Sequence, residues 1–472
     1  MKIKLLYLTI ILLSVFFICS ISYLFIYNPT DRLIKNIPGM DKNDFEFVTK
    51  NYQTVIGEFY KSISNDFIFV DGSWPRFRGI NYDNINKERI KLLNDWNTKK
   101  PSIIWQVDLG EGYAAPAVLN GRVYLIDYDE ILRSDVLRCF TLNDGKELWR
   151  RWYKVRIKRN HGMSRTIPAV TDKYVLTMGP KCHVMCVNST NGDFYWGINL
   201  EKDYKSEVPM WYTGQCQLID NDTAVIAVCG SFLMIGVDCR TGKILWNTPN
   251  RNNYKMSHSS IIPMTIHGKK MYVYCAIGGM IGVSAEPYDR GTILWETKDL
   301  DAKVIAPSPV NLNDGRIFIT AGYGYGSIMF KINKNNNTFS VETLYRIRPN
   351  EGLACEQQTP VFYKGFLYGI LPNDAGADRN QFICYDPEGK IIWKSGKANR
   401  FGLGPFIVAD NKFFILNDNG ELSVINANAK KFELMGRIKI FKGVDSWGPI
   451  AIAGSRMLLR DSTRMFCIDI GR

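Results

Sequence analysis

One repeated mark, a glycine followed after three residues by a tryptophan, constrains the fold of this 472-residue chain more than any other sequence feature. Successive tryptophans are separated by 47, 50 and 49 residues and then by 98, which is about two repeat lengths. Such a period indicates copies of one supersecondary unit. The marks are Gly145 with Trp149, Gly192 with Trp196, Gly242 with Trp246, Gly291 with Trp295, and Gly389 with Trp393.

Each repeat unit has the pattern of four short strands joined by polar turns. In the first complete unit, the apolar segment 114–118 precedes a second strand over 122–126, and a tight turn at 143–145 leads into the strand that carries the tryptophan. Glycine suits that turn because it adopts a positive φ angle without a Cβ clash. Four antiparallel strands in a unit of about 40–50 residues are typical of a β-propeller blade.

The spacing predicts an all-β, eight-bladed β-propeller of four-stranded antiparallel blades. Blades one to seven end near residues 149, 196, 246, 295, 344, 393 and 435, although the fifth and seventh lack the complete mark. The segment 447–470 supplies only three strands, while one further strand, 103–109, precedes the first blade. We therefore expect strand 103–109 to pair with the C-terminal strands and close the ring, since closure removes exposed strand edges.

The repeat resembles the pyrroloquinoline-quinone-like (PQQ-like) β-propeller family. The resemblance rests on the Gly-x-x-x-Trp marks, the blade length and the segment Trp74–Gly79, and it covers about residues 73–472. It implies an eight-bladed propeller that usually lies outside the cytoplasm. Family members include quinone-dependent alcohol dehydrogenases, the scaffold lipoprotein of the outer-membrane barrel assembly machinery, and many secreted or anchored proteins. The fold therefore does not determine the activity.

An uncharged run from Leu5 to Tyr27 follows two lysines at the N-terminus. A helix of this length, rising about 1.5 Å per residue, crosses a hydrocarbon core of roughly 30 Å. The alternative is a cleaved signal peptide, whose apolar region is usually shorter. We predict an uncleaved transmembrane anchor over 5–27 that contacts the lipid bilayer. Lysines favour the cytoplasmic side, so residues 1–4 should be cytoplasmic and the propeller of this single-pass membrane protein periplasmic or extracellular.

A membrane-proximal segment over 28–72 separates this anchor from the predicted propeller of 73–472. Apolar residues at spacings of three and four predict one amphipathic helix in this segment. They are Val48, Tyr52, Val55, Phe59 and Ile63, with Asp41, Asn43 or Asp44 as candidate N-caps.

The eleven cysteines are interpreted as packing residues rather than as a disulfide framework. Four of them recur in the third strand of their blades, where a small buried apolar residue fits. These four are Cys139, Cys186, Cys384 and Cys467. The pairs Cys182–Cys186 and Cys229–Cys239 are the candidate disulfides that remain. Since no Cys-x-x-Cys motif occurs, a structural zinc site is not expected.

The sequence contains no recognisable catalytic constellation. The four histidines form no pair with metal-ligand spacing. Dehydrogenases of the resembled family use calcium, a catalytic aspartate and commonly a vicinal disulfide, but this chain has no adjacent cysteines. The loop Asn373–Asp378 could hold calcium through its oxygens, or could be a solvated polar turn. We predict no catalytic residue, no metal site and no cofactor; PQQ with calcium belongs to an alternative interpretation as a dehydrogenase.

The starts of the innermost strands predict a candidate ligand site. In a propeller these strands line the central channel, and the loops that lead into them crowd one mouth. Here polar and aromatic residues replace the small apolar ones that the repeat prefers. A cation among aromatic rings and amides could bind a small polar or anionic ligand, and a water-filled channel is the alternative. The candidates are Tyr113, Arg165, Tyr212, Gln215, His258, Gln358 and Trp447.

The formal net charge of +13 favours contact with anionic surfaces. A basic run over 150–159 could contact anionic lipid or an acidic partner, or could form a solvated face. Nucleic acid is not expected as a partner outside the cytoplasm. We predict a membrane-anchored, non-catalytic protein-binding or scaffold module of the cell envelope, which contacts envelope proteins through its propeller loops. The alternatives are a PQQ- and calcium-dependent dehydrogenase and a carbohydrate- or peptide-binding propeller.

Overall fold

A computed structural model describes residues 2–26, 54–94, 96, 100–159 and 162–472. The chain divides into two compact units, Met1–Gln53 and Thr54–Arg472. In the first unit the described residues form one helix, α1 (Lys2–Ile26), which contains both N-terminal lysines and most of the uncharged run. No helix among the described residues meets the combined length and apolarity needed to cross a membrane.

The described residues of the second unit form an all-β propeller of eight sheets, the blades. Each blade contains four antiparallel strands, and in blades one to seven the innermost strand comes first in the sequence. Three strands precede the first blade along the chain: β1 (Phe59–Ser62), β2 (Ile85–Asn86) and β3 (Ser102–Asp108).

Blades one to four follow the predicted spacing, with a short helix, α2 (Leu200–Tyr204), between the second and third. Their strands are β4 (Ala117–Leu119), β5 (Arg122–Asp129), β6 (Ser134–Thr141) and β7 (Glu147–Lys154); β8 (Ala169–Val170), β9 (Tyr174–Met178), β10 (His183–Asn188) and β11 (Phe194–Asn199); β12 (Leu218–Asp220), β13 (Thr223–Ala227), β14 (Phe232–Asp238) and β15 (Ile244–Pro249); β16 (Ile262–Ile266), β17 (Lys269–Ala276), β18 (Gly279–Ser284) and β19 (Ile293–Thr297).

Blades five to eight continue the series, including the two blades without a complete mark. Their strands are β20 (Val310–Asn311), β21 (Arg316–Ala321), β22 (Gly326–Asn335) and β23 (Thr338–Ile347); β24 (Val361–Tyr363), β25 (Phe366–Ile370), β26 (Phe382–Asp386) and β27 (Lys390–Lys394); β28 (Phe406–Ala409), β29 (Lys412–Leu416), β30 (Glu421–Asn426) and β31 (Leu434–Lys439); β32 (Ala451–Ala453), β33 (Arg456–Arg460) and β34 (Arg464–Asp469). A 3₁₀ turn, Gly376–Asp378, lies in blade six.

Blade eight combines strands from two distant parts of the chain. Its outermost strand is β3, which pairs antiparallel with β34 and places Trp105 opposite Cys467. Its other strands, β32 to β34, come from the C-terminal end of the chain. The same sheet therefore contains residues 102–108 and residues 451–469.

The predicted helix of the membrane-proximal segment is wrong where the structure describes it. Phe59 lies in β1, which pairs with the outermost strand of blade one and stacks its ring on Trp152 at 5.6 Å. The free edge of β7 offers backbone hydrogen bonds to an added strand, and these override the helical spacing. Val48, Tyr52 and the candidate N-caps lie outside the described residues. Because β1 belongs to this sheet, the compact unit begins at Thr54 rather than at residue 73.

The contact between neighbouring blades explains why the Gly-x-x-x-Trp mark repeats. The Trp149 indole of blade one lies against Gly192 of blade two, where an added Cβ would come within 2.6 Å of the ring. Its Nε1 donates a hydrogen bond of 3.0 Å to the carbonyl of Thr190 in the same turn. Gly192 therefore supplies both a positive φ and room for the preceding tryptophan. The equivalent contacts join Trp105 to Gly145 and Trp196 to Gly242.

We expect Gly192→Ala to destabilise the propeller by about 2–4 kcal/mol, since the strain of φ +71° adds to displacement of the indole. The matched control is Gly365→Ala, which has φ +85° but no atom within 4 Å of the added Cβ. The control should lose only the strain contribution of about 1–2 kcal/mol. Urea unfolding followed by tryptophan fluorescence measures both losses, and equal losses would contradict the interblade contact.

The structure confirms the packing role of the four repeated cysteines. All four are buried in third strands, namely β6, β10, β26 and β34. Neither candidate disulfide is present, because all eleven cysteines lie within described residues and carry free thiols. Cys182 Sγ contacts Met256 Sδ at 3.8 Å, and Cys186 Sγ donates toward the carbonyl of Cys239 at 3.3 Å. Burial also raises the pKa of the Cys229 thiol to about 12, which makes it unreactive.

Candidate functional site

The loops that precede the innermost strands share one face of the propeller with the loops that join second and third strands, because neighbouring strands are antiparallel. We call this face the mouth face. A central cavity of about 360 Å³ has side chains from all eight blades in its lining. Tyr323, which lies on a mouth-face loop and lines the cavity, is 64% exposed. The cavity therefore opens on the mouth face.

The floor of the cavity is formed by residues 74–86, which we call the crossing segment. The backbone of Trp74 pairs with blade one, the Pro75 carbonyl accepts a hydrogen bond from blade two, and the Asn84 amide donates to a carbonyl of blade seven at 2.5 Å. Phe77 and Arg78 line the cavity between these points. The segment therefore crosses the channel opposite the mouth face and makes the cavity blind.

Arg78 fastens the crossing segment to blade six. Its guanidinium is buried and donates to four backbone carbonyls at 2.9–3.3 Å. These carbonyls belong to Tyr82, Asp83, Thr359 and Pro360. Burial lowers the pKa of Arg78 to about 10. Because its donors are used within the protein, Arg78 is a structural residue, a role that the sequence did not predict.

A second arginine, Arg165, lies beside an aromatic pair in the wall of the cavity. Its guanidinium carbon is 5.9 Å from the centre of the Tyr113 ring, and that ring is 5.2 Å from the ring of Trp447. Trp447 Nε1 donates to Asp418 at 2.8 Å, and the Gln358 amide donates to the Trp447 carbonyl at 3.1 Å. Burial lowers the pKa of Arg165, which nevertheless keeps its charge at neutral pH.

Three stacked rings form another part of the lining. The Trp211 ring lies 5.8 Å from that of Tyr323 and 6.3 Å from that of His258. Burial, followed by the charge of Arg165, lowers the pKa of His258 to about 4. His258 is therefore neutral at neutral pH, and Arg165 carries the positive charge of this region.

Glu356 contributes a carboxylate to the lining. Burial, followed by the nearby Asp374 carboxylate, raises the pKa of Glu356. Burial raises the pKa of Tyr323, and the charge of Glu356 raises it further, whereas the charge of Arg165 lowers it. The Tyr323 hydroxyl therefore lies within electrostatic range of both Glu356 and Arg165. The cavity thus combines a cation, a carboxylate and aromatic surfaces.

Five of the seven predicted site residues line this cavity. They are Tyr113, Arg165, His258, Gln358 and Trp447. The two others, Tyr212 and Gln215, do not line it. The Tyr212 hydroxyl instead bonds the backbone of Lys158, and Gln215 is fully buried with its amide bonded to both backbone groups of Ala227. Both side chains therefore hydrogen-bond backbone groups of the fold.

Sequence reasoning missed three residues of the lining that matter chemically: Trp211, Tyr323 and Glu356. Trp211 stands directly before a predicted residue, and Glu356 stands two positions before another. Tyr323 comes from a loop between second and third strands, which the prediction did not consider. Strand-start positions therefore located the mouth, but they missed two neighbours of predicted residues and the one contribution from a loop between second and third strands.

The residues present do not fit a calcium-bound quinone. In the candidate calcium loop, Asp374 accepts from the backbone of blade five, Asp378 pairs with Lys394, and the Asn373 amide oxygen accepts from a neighbouring side chain. These oxygens already serve protein donors, as expected of a polar turn. The described residues contain no group of three His, Cys, Asp or Glu that could hold a metal ion. Glu356 alone contributes a carboxylate to the cavity, whereas calcium takes 6–8 oxygen ligands.

Much of the basic run over 150–159 is used within the protein. Arg150 pairs with Glu147 at 2.6 Å, and Arg159 pairs with Glu111 at 2.5 Å. Arg151 donates to two backbone carbonyls at 2.7 Å. These contacts favour a structured surface over a free patch for anionic lipid.

Comparison with known proteins agrees with this architecture. Residues 133–344 match a model of the family described as outer membrane protein assembly factor BamB. Together with the eight four-stranded blades, this match, which covers less than half of the chain, supports a PQQ-like β-propeller family. A search of the curated proteins found no match.

Solved structures share the fold at low sequence identity. BamB from Moraxella catarrhalis is 10% identical with a TM-score of 0.53, over 79% of this chain and 98% of that chain. Quinohemoprotein alcohol dehydrogenase from Comamonas testosteroni is 10% identical with a TM-score of 0.58, over 85% and 81%. The computationally designed Ika8 protein is 10% identical with a TM-score of 0.50, over 78% and 99%. At these identities the likeness shows the fold alone.

Proposed function

We propose that this chain is a membrane-anchored, non-catalytic protein-binding or scaffold module of the cell envelope. The observation that carries the proposal is a set of large apolar side chains exposed on mouth-face loops of different blades. Ile131 is 94% exposed, Met210 is 67% exposed, and Tyr323 and Val444 are each 64% exposed. A contiguous patch of exposed apolar side chains is typical of protein interaction sites, and we propose that these residues contribute to one around the opening of the cavity.

The family description supports an assembly role. The matched family carries the description of an outer membrane protein assembly factor, and the cavity does not provide the donor set of a calcium quinoprotein. Both points favour a partner protein over a redox substrate. We therefore place envelope proteins at the mouth face and rank the dehydrogenase alternative below this function.

The anchor is a further part of the proposal and rests on α1. Its described side chains include Leu13, Phe16 and Phe17, which are 63%, 72% and 66% exposed. Burying such side chains in lipid is favourable because it removes apolar surface from water. Lys2 and Lys4 at the N-terminal end favour a cytoplasmic tail and an extracytoplasmic propeller.

The test is crosslinking in intact cells followed by pull-down of the full-length protein from the membrane fraction. We expect Met210→Asp and Val444→Asp each to reduce partner recovery roughly tenfold or more, because a charge replaces an apolar contact at the interface. The control is Tyr288→Asp, since Tyr288 is 79% exposed on a turn of the opposite face.

Three results would contradict the proposal. The first is that the Met210→Asp/Val444→Asp double variant recovers as much partner protein as the wild type. The second is that the full-length protein is found outside the membrane fraction. The third is that the protein reduces a dye with alcohols as substrates after PQQ and calcium are added.

A further inference from the structure

We infer that the central cavity binds a zwitterionic ligand of the amino-acid or short-peptide class, with the ligand carboxylate at Arg165 and its ammonium group at Glu356. This site goes beyond the proposed scaffold role, because it lies inside the cavity rather than on the exposed mouth-face loops.

The two charges stand on opposite walls. Arg165 precedes the innermost strand of blade two, and Glu356 precedes that of blade six. Blades two and six face each other across a ring of eight. A cation and a carboxylate on facing walls favour a ligand with opposite charges at its two ends.

The remaining ionisable groups of the lining do not alter this polarity. The guanidinium of Arg78 is buried in its four carbonyl contacts, and His258 is neutral at neutral pH. A polyanion would bring like charge to Glu356, and a neutral sugar would use neither charge. The charge distribution therefore selects a zwitterion among small polar ligands.

Aromatic and amide groups between the two charges suit the body of such a ligand. The Tyr113–Trp447 pair and the Trp211–Tyr323 stack offer apolar faces, and an ammonium group near the latter gains a cation–π contact. Gln357, which also lines the cavity, carries an amide able to bond a peptide group.

The size and closure of the cavity limit the length of the ligand. A volume of about 360 Å³ is near the lower end of small-molecule sites. The crossing segment closes the far end, so a longer chain cannot pass through the channel. A free amino acid or a short peptide fits this space, and the two share the zwitterionic chemistry.

Isothermal titration of the full-length protein with four probes tests the inference without any substitution. The probes are L-alanine, trialanine, N-acetyl-trialanine and trialanine amide. We expect saturable binding of L-alanine or trialanine. The tighter binder of the two shows whether the ligand is a free amino acid or a short peptide. Blocking either end of trialanine should weaken its binding about tenfold or more, since each charge-assisted contact is lost. No saturable binding of either zwitterion, or equal binding of blocked and unblocked trialanine, would overturn the inference.

Two variants then assign the ends of the ligand. Glu356→Gln should weaken trialanine binding about tenfold but leave the binding of N-acetyl-trialanine, which has no ammonium group, unchanged. Arg165→Gln should weaken trialanine binding about tenfold but leave the binding of trialanine amide, which has no carboxylate, unchanged. Arg348→Gln, at an exposed arginine, is the control. A variant that weakens all probes equally would refute the assigned ends. Partner recovery with the Met210→Asp variant tests the scaffold role separately.

Discussion

Replacing Arg78 by methionine is expected to destabilise the propeller by about 4 kcal/mol or more. Methionine fills much of the volume of the arginine stem but donates no hydrogen bond. Four backbone carbonyls, two in the crossing segment and two at the start of blade six, would then lose their donor. Each buried carbonyl without a partner costs about 1–3 kcal/mol. Thermal and urea unfolding of the purified protein measure the loss.

The matched control for this substitution is Arg348→Met, at an exposed arginine on the loop between blades five and six. Its stability should change by less than about 0.5 kcal/mol, as is usual for surface positions. If Arg78→Met were equally mild, the crossing segment would not depend on this side chain. Loss of the floor should also weaken ligand binding in the cavity, which the same titrations detect.

Asp135→Asn is expected to stabilise the protein at pH 8 by about 3–4 kcal/mol. Asp135 is buried in β6 and accepts a hydrogen bond of 2.6 Å from the Tyr153 hydroxyl. Burial raises the pKa of Asp135 from its ordinary value of 3.8 to about 7, against the opposing effect of that hydrogen bond. Asparagine removes the buried charge and retains an oxygen for Tyr153.

The pH dependence follows from the direction of this shift. Between about pH 4 and 7 the unfolded chain releases the Asp135 proton while the folded protein keeps it, so rising pH lowers the stability contributed by this group. Above about pH 7 both states are ionised and the loss is complete. The stability difference between Asp135→Asn and the wild type should therefore grow from pH 4 to pH 7 and then level off.

Denaturation at a series of pH values checks this course. Asp301→Asn serves as control, because Asp301 is an exposed carboxylate paired with Arg346. Tyr153→Phe removes the hydrogen bond that favours the charged form of Asp135 and should extend the loss of stability to higher pH. A constant difference between Asp135→Asn and the wild type from pH 4 to pH 8 would refute the assignment.

The amino-acid sequence by itself determined the blade architecture. The Trp149–Gly192 contact joins positions about one repeat apart, so the requirement for an indole and a fitting glycine recurs in the sequence as a period. Blade five lacks the tryptophan of the mark, and the structure shows what replaces it. The side chain of Ile347 from blade five lies against Gly389 of blade six, where other blades place an indole. The buried third-strand cysteines were predictable for the same reason.

Tertiary structure alone decided the floor and the charge pattern of the cavity. Arg78 reaches Thr359 across 281 positions, a contact that exists only because the ring brings blade six over the crossing segment. Glu356 and Arg165 likewise stand on opposite blades of one cavity only in the folded propeller. Gln215 was predicted from its polar side chain at a strand start, but its amide bonds the backbone of Ala227 in its own blade. Whether such a side chain enters the cavity is therefore decided by the tertiary structure. Periodic contacts leave a pattern along the chain, whereas contacts across the ring leave none.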